Sequence, residues 1–246
     1  MRVRHDERGA VYAEIAIAIL PLFTLVMGVA QLALIAQASL VVRHAAQSAV
    51  RSAVVVLDDD ESYYGGSPRL MIEDDAPPGA LTAVVTAMSG SPGGLPAASR
   101  LGTIRTAAFR PLLGIAPGPS QVASGRAARS IRHAIGGASN DRLAFAVIYL
   151  DAAAAVTFPE TPGSSSLRTS FAPDEPITAR VTMAYPCLVP LVAELLCDEF
   201  DALDTSDLSY AARPGALSGV LDGNVRYRLI QAEATLTNQG APYPYP

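Results

Sequence analysis

The sequence predicts an α+β fold, in which a long N-terminal transmembrane helix with an amphipathic extension precedes a domain that contains a small antiparallel sheet. Three observations lead to this prediction. Residues 15–42 contain no charged side chain and no histidine, and polar residues then recur at helical spacing as far as Ser52. Beyond Asp141 the pattern changes to alternation, which is typical of strands. The chain of 246 residues is long enough for one domain with a sizeable core.

The composition is unusually apolar for a soluble domain, with 50% hydrophobic and 17% charged side chains. This excess is concentrated near the N-terminus, where the uncharged stretch lies. A formal charge of −5 and an isoelectric point near 5.2 argue against a nucleic-acid partner, which requires a basic face.

The uncharged stretch is long enough to cross a membrane. As a helix its 28 residues would extend about 42 Å, against a hydrocarbon core of about 30 Å. Residues 15–36 alone are sufficient. Pro21 and Gly28, which are tolerated in lipid-embedded helices, shape this helix. Three arginines precede the stretch and favour a cytoplasmic N-terminus, with most of the chain outside the cytoplasm: Arg2, Arg4 and Arg8.

Two alternatives to a membrane anchor remain open. One is a buried helix of a soluble protein, and the other is a secretory signal cleaved after Ala38, since Ala36-Gln37-Ala38 fits the pattern of small residues at such sites. The apolar stretch exceeds the usual length of a signal peptide. A polar stripe also continues the helix beyond Ala38 and ends before Asp58; its residues are Arg43, His44, Gln47, Ser48, Arg51 and Ser52.

Glu14 lies directly before the apolar stretch, where a carboxylate is costly unless it is interfacial, paired or functional. The segment RGAVYAEIA at residues 8–16, with the LPLF that begins at Leu20, resembles the N-terminus of the TadE/TadG family of pilus-assembly proteins. These are pilin-like components of the tight-adherence (Tad, Flp pilus) secretion system. RHAA at residues 43–46 and VVVLDD at residues 54–59 are similar to a TadE-like subgroup.

This resemblance implies a pseudopilin-like role in assembly, without catalysis, and a pilin-like outer domain. A prepilin peptidase would cut between Gly9 and Ala10. Glu14 would then pair with the new ammonium of Ala10 on a neighbouring subunit and fix the register of a helix bundle. The implied location is the bacterial inner membrane, crossed once, with the main domain in the periplasm. The implied partners are membrane lipid, the prepilin peptidase and other pilus-assembly proteins or pilins.

The chain divides into a basic leader (1–9), the helix and its extension (10–57), a loop-rich connection (58–96) and the outer domain (97–246). Short helices are predicted at 81–88 and 120–135, the second with a basic face. The acidic clusters at 58–61 and 73–75 indicate a solvated rim or, alternatively, a calcium site, although they lack the D-x-D-x-D-G loop. The proline-rich tail at 240–246 indicates either a loose end or an adhesive peptide.

Three strands are predicted in the outer domain, at residues 143–149, 177–185 and 225–236, because apolar and polar residues alternate there. In the third strand the alternation reverses at Leu229 and Ile230. This reversal predicts a β-bulge or a change of sheet face.

Cys187 and Cys197 bracket a short apolar segment, and outside the cytoplasm a disulfide between them would contribute about 2–3 kcal/mol. Two buried free thiols are the alternative. No histidine lies near these cysteines in the sequence, so no metal site is expected, and no cofactor motif occurs. The three histidines have no nucleophile motif beside them, so we expect no enzymatic activity and no small-molecule substrate.

The sequence alone leaves two rival functions. The chain could be a secreted soluble binding domain whose first 38 residues are a signal peptide. It could also be a membrane-tethered envelope module unrelated to pili.

Overall fold

A computed structural model describes residues 7–72, 99–122, 141–189, 191–199 and 225–238. Within these residues the fold combines helices with one three-stranded antiparallel sheet, as the sequence predicts. The apolar stretch and the extension belong to one continuous helix, α1 (Glu7–Val56). Its N-terminal half projects from the rest of the structure, and its C-terminal half packs against the sheet.

The C-terminal half of α1 is amphipathic in the predicted sense. Arg43, Gln47 and Arg51 of the predicted polar stripe are exposed. The opposite side is buried and consists largely of small residues, which allow the sheet and a second helix to approach closely: Ala38, Val42, Ala45, Ala46, Ala49, Val50 and Ala53.

The sheet has the order β1-β2-β3, with β1 at Ala154–Thr157, β2 at Pro176–Pro186 and β3 at Tyr227–Thr237. The strands predicted at 177–185 and 225–236 are confirmed as β2 and β3. β2 pairs with β3 in an unbroken register from Pro176 opposite Thr237 to Pro186 opposite Tyr227. Of the two alternatives predicted for the reversal in β3, the β-bulge is wrong and the change of sheet face is confirmed.

The reversal of the pattern in β3 instead reflects a change in which face of the sheet is apolar. Tyr227 and Leu229 point to one face, whereas Ile230, Ala232 and Ala234 point to the other. The apolar residues thus exchange faces along a strand whose hydrogen bonding stays regular.

The strand predicted at residues 143–149 is wrong, because these residues lie in a helix, α4 (Asp141–Ala153), which leads directly into β1. Phe145, Tyr149 and Ala152 are buried at helical spacing, whereas Leu143 is 53% exposed. The alternation of large side chains was misleading because the residues between them are also apolar, so both periods fit the sequence.

Helix α2 (Arg100–Leu112) was not predicted from the sequence. Ser99 caps its N-terminus, since the Ser99 hydroxyl accepts a hydrogen bond from the backbone N–H of Gly102 at 3.1 Å. Ile104, Ala108 and Leu112 are fully buried on the face that packs against α1.

The remaining elements are short. The segment predicted as loop-rich contains a 3₁₀ turn at Glu61–Tyr64, and its Met71 forms an isolated bridge with Ser170. Helices α3 (Pro119–Val122) and α5 (Ala193–Leu196) are single turns. Only the start of the helix predicted at 120–135 is described, and the predictions for 73–75, 81–88 and the tail lie outside the described residues.

Strand β2 runs antiparallel to α1 and returns toward the exposed half of that helix. At the far end, the N–H of Phe171 donates to the carbonyl of Leu70, and the N–H of Leu70 donates to the carbonyl of Leu57, both at 2.8 Å. At the near end, just after β2, the N–H of Val189 donates to the side chain of Gln31 at 3.1 Å. The segment after β2 therefore lies beside the exposed half of α1.

Arg100 occupies the far end, where α1 terminates. Its side chain is 1% exposed, and its guanidinium donates to the backbone carbonyls of four residues that surround the end of α1: Val56, Asp59, Ser67 and Pro68. The ring of Tyr64 covers the guanidinium at 4.7 Å. Arg100 thus satisfies the final carbonyl of α1 and three carbonyls of the turns that follow it.

A second buried arginine, Arg180, lies on β2 opposite Glu233 of β3. The Nε of Arg180 donates to Glu233 at 2.7 Å, and the other oxygen of that carboxylate accepts the N–H of Gly163 at 2.9 Å. Arg180 also donates to the carbonyl of Ser164. This ion pair joins the sheet to the turn that contains Gly163 and Ser164.

Candidate functional site

The most distinctive surface is the exposed N-terminal half of α1. It presents large apolar side chains around its circumference: Ile15, Ile17, Ile19, Leu20, Leu22, Phe23, Leu25, Val26, Val29, Leu32 and Leu34. Among the described residues α1 is the one helix long and apolar enough to cross a membrane. A surface of this size is unusual on a soluble monomer and typical of a membrane or protein contact.

The hydroxyl of Thr24 is satisfied within the helix, whereas the buried Nε2 of Gln31 has no hydrogen-bond partner among the described residues. Thr24 donates its hydroxyl to the carbonyl of Leu20 at 2.9 Å, so neither atom requires water. Pro21 lies inside the helix, is exposed, and has no N–H to donate to the preceding turn. In hydrocarbon every polar group needs such a partner, and the arrangement at Thr24 meets this requirement.

Thr24 and Gln31 are the two polar side chains between residues 15 and 36. Gln31 is covered by the outer domain. Its side chain is 0% exposed, and its Oε1 accepts the hydrogen bond from Val189. Val189 belongs to the segment between Cys187 and Cys197, which we call the disulfide loop because the two cysteines are joined in the structure.

The disulfide loop lies against α1 at Gly28 and Gln31. A Cβ built on Gly28 would lie 3.9 Å from Cγ1 of Val192, which is an ordinary van der Waals separation. Val192 is buried, whereas Leu191 is 63% and Leu195 is 72% exposed. The disulfide is the pairing that the sequence predicts, whereas the packing of Val192 beside Gly28 has no local sign in the sequence.

Removing the disulfide should destabilise the outer domain. We expect replacement of both Cys187 and Cys197 by serine to lower the free energy of unfolding by about 2–3 kcal/mol, because the loop then regains conformational freedom in the unfolded chain. Urea unfolding in detergent, followed by circular dichroism, measures this change. A reductant should lower the urea midpoint of unfolding of the native protein and leave that of the double variant unchanged. Equal urea midpoints of the two proteins without reductant would contradict the prediction.

The predicted cleavage and register residues lie at the other end of the apolar surface. Gly9 and Ala10 are in the first turns of α1, and Glu14 is one turn further and exposed. These three residues lie near one another along the helix, but Gly28 and the disulfide loop are more than 20 Å away at about 1.5 Å per residue. The predicted site residues therefore form two groups along the exposed segment, with Pro21 between them.

The acidic cluster at residues 58–61 is held by local contacts at the far end of α1. Arg69 forms an ion pair with Asp58 at 3.6 Å, and Asp60 accepts hydrogen bonds from both the hydroxyl and the N–H of Ser62. These hydrogen bonds lower the pKa of Asp60. Among the described residues no group of three side chains is arranged to hold a metal ion.

Sequence reasoning missed Gln31, Leu191 and Leu195. A lone amide in an otherwise apolar stretch is a usable signal for Gln31, because such a group requires a partner. The exposure of the two leucines depends on how the disulfide loop packs, and the sequence holds no local sign of it.

Comparisons of this chain with protein-family models, curated proteins and solved structures found no match.

Proposed function

We propose that this protein is a membrane-anchored, non-catalytic assembly component, similar to a minor pseudopilin, of a Tad/Flp pilus or a related secretion system. The observation that carries the proposal is the division of α1. One half exposes an apolar surface of membrane length, and the other half is built into the core of an antiparallel sheet. The first half anchors the protein in the inner membrane, and the second half holds the outer domain rigidly above it.

The packing of α1 favours an uncleaved anchor over a signal peptide cut after Ala38. Ala38 is 1% exposed, and α1 continues without a break on both sides of it. Gln31 and Gly28, which such a cut would remove, contact Val189 and Val192 of the disulfide loop. Cleavage there would strip the outer domain of a hydrogen bond and expose the apolar surface beneath.

The proposed role of the N-terminal end rests on Glu14, together with the resemblance of residues 8–16 to TadE/TadG proteins. A carboxylate at the membrane edge can pair with the α-ammonium of Ala10 on an adjacent subunit after cleavage. Such a pair sets the axial register of neighbouring helices. The outer domain is then free to contact other assembly proteins or pilins.

The N-terminus of the mature protein tests this proposal. We expect mass spectrometry of the protein from cells with a prepilin peptidase to show a chain that begins at Ala10. The same measurement in cells without the peptidase should show the intact leader, which provides the control. A chain that begins at Ser39 would support the secreted binding domain, and a chain that retains the leader in both strains would support an unprocessed tether.

Replacing Glu14 tests the register role. We expect Glu14→Gln to leave the protein in the membrane fraction and to reduce the number of pili per cell several-fold, because the amide carries no charge to pair with the ammonium. Electron microscopy of cells counts the pili. Glu160→Gln, an exposed carboxylate far from α1, is the matched control, and equal piliation in the two variants would remove the register role.

A further inference from the structure

The disulfide loop extends the apolar surface of α1 sideways. Its residues 188–196 are apolar apart from Glu194, and Leu191 and Leu195 direct their side chains outward although they lie beside buried Val192. The turns of α1 next to the loop also expose Leu25, Val29 and Leu32. The exposed leucines of the loop therefore adjoin the membrane-length surface.

The position of the loop along α1 places it inside the hydrocarbon layer. If the inner edge of the layer lies at Ile15, next to Glu14, a core about 30 Å thick ends about twenty residues later, near Leu34. Gly28 and Gln31, which the loop contacts, then lie about 5–9 Å inside the outer edge of the layer. The loop covers Gln31 at this depth and shields its amide from lipid.

Charged residues surround the base of the loop. Arg226 pairs with Glu199 at 3.2 Å, and Arg228 lies 4.0 Å from Asp198. This arrangement fits a base at the level of the headgroups, where charges of both signs are solvated. Glu194 is the one charged residue between the two cysteines and limits the loop to a shallow position, since a carboxylate deep in the bilayer is costly.

We propose that the disulfide loop is a second membrane-contacting element, which inserts Leu191 and Leu195 among the acyl chains of the leaflet on the side of the outer domain. The proposal rests on the proposed function only in that α1 must span the bilayer. The occupant of this surface is lipid, because the loop is continuous with the lipid-exposed side of α1 and meets it within the depth of the hydrocarbon.

The absence of tryptophan from the chain allows a direct test with single-tryptophan reporters. The full-length variant Leu195→Trp is reconstituted in phosphatidylcholine vesicles that carry bromine atoms at shallow or deep acyl positions. We expect the tryptophan emission to be blue-shifted. Bromine at the shallow acyl positions should quench most of this emission. Leu191→Trp is a second reporter of the same loop, so that one misfolded variant does not decide the result.

Two further variants calibrate the measurement. Phe23→Trp, near the middle of the expected span, should be quenched most by deep bromine, and Tyr63→Trp, 63% exposed beyond the far end of α1, should not be quenched. If Phe23→Trp is quenched but both loop reporters behave like Tyr63→Trp, the loop proposal is overturned while the anchor stands. Blue-shifted loop reporters that no bromine quenches would show that protein, from the same chain or a second copy, covers this surface, and would also overturn the proposal. If Phe23→Trp is not quenched either, α1 does not span the bilayer and both proposals fail.

Discussion

Replacing Arg100 by methionine is expected to lower the free energy of unfolding by about 4 kcal/mol, because two buried and two part-buried carbonyl groups would lose their charged donor. The guanidinium supplies donors in several directions at once, and it is 1% exposed at the end of α1. Methionine fills a similar volume but offers no donor. Urea unfolding in detergent, followed by circular dichroism, measures the loss.

Two variants make the result specific to this arrangement. Arg110 lies on the same helix, α2, but is exposed, so Arg110→Met should change stability by no more than about 0.5 kcal/mol. Arg100→Lys keeps the charge but offers fewer donors from a single nitrogen, and it should cost about half as much as Arg100→Met. Equal stability of Arg100→Met and Arg110→Met would show that the carbonyls at the end of α1 find other partners.

Glu233→Ala is expected to cost about 3–5 kcal/mol, because it leaves the charge of Arg180 buried without its carboxylate. The side chain of Arg180 is only 7% exposed, and Glu233 also accepts the N–H of Gly163, so the turn at Gly163 would loosen as well. Glu160→Ala, which removes an exposed carboxylate from the same turn region, should have little effect. The difference in urea midpoint between Glu233→Ala and Glu160→Ala measures the loss of stability caused by removing the carboxylate of Glu233.

The pair itself can be tested by replacing both partners. We expect Arg180→Met combined with Glu233→Leu to be more stable than Glu233→Ala alone, because no unpaired charge then remains in the sheet. A double variant that is less stable than either single variant would instead show that the ion pair contributes net stability. The same urea titration distinguishes the two results.

The sequence was sufficient to predict the elements whose pattern is local and long. Helix α1 follows from an uncharged stretch and a polar stripe, and β2 follows from alternation over its whole length. Both patterns repeat often enough to exclude the other period. In residues 143–149 every side chain is apolar, so the pattern fits both a strand and a helix. The predicted strand is a helix in the structure.

The candidate site was predictable only in part for a related reason. Glu14 and the two cysteines are conspicuous in the sequence because of their residue type and position. The contact between Gln31 and Val189 joins residues 158 positions apart. In the sequence Arg100 cannot be distinguished from a surface arginine. Its carbonyl partners come from separate segments that only the tertiary fold brings together. Such contacts depend on tertiary packing, which no local pattern encodes.

The continuity of α1 has a mechanical consequence. Because the helix has no break between the apolar segment and Val56, the exposed segment and the part packed in the outer domain move as one rod. Transmembrane helices tilt by about 20° on average, and over the roughly 30 Å from Ala36 to Val56 that tilt displaces the far end by about 10 Å. If α1 spans a bilayer as proposed, a pull on the outer domain would reach that bilayer as torque on a single rod, beside which the disulfide loop lies at Gly28 and Gln31.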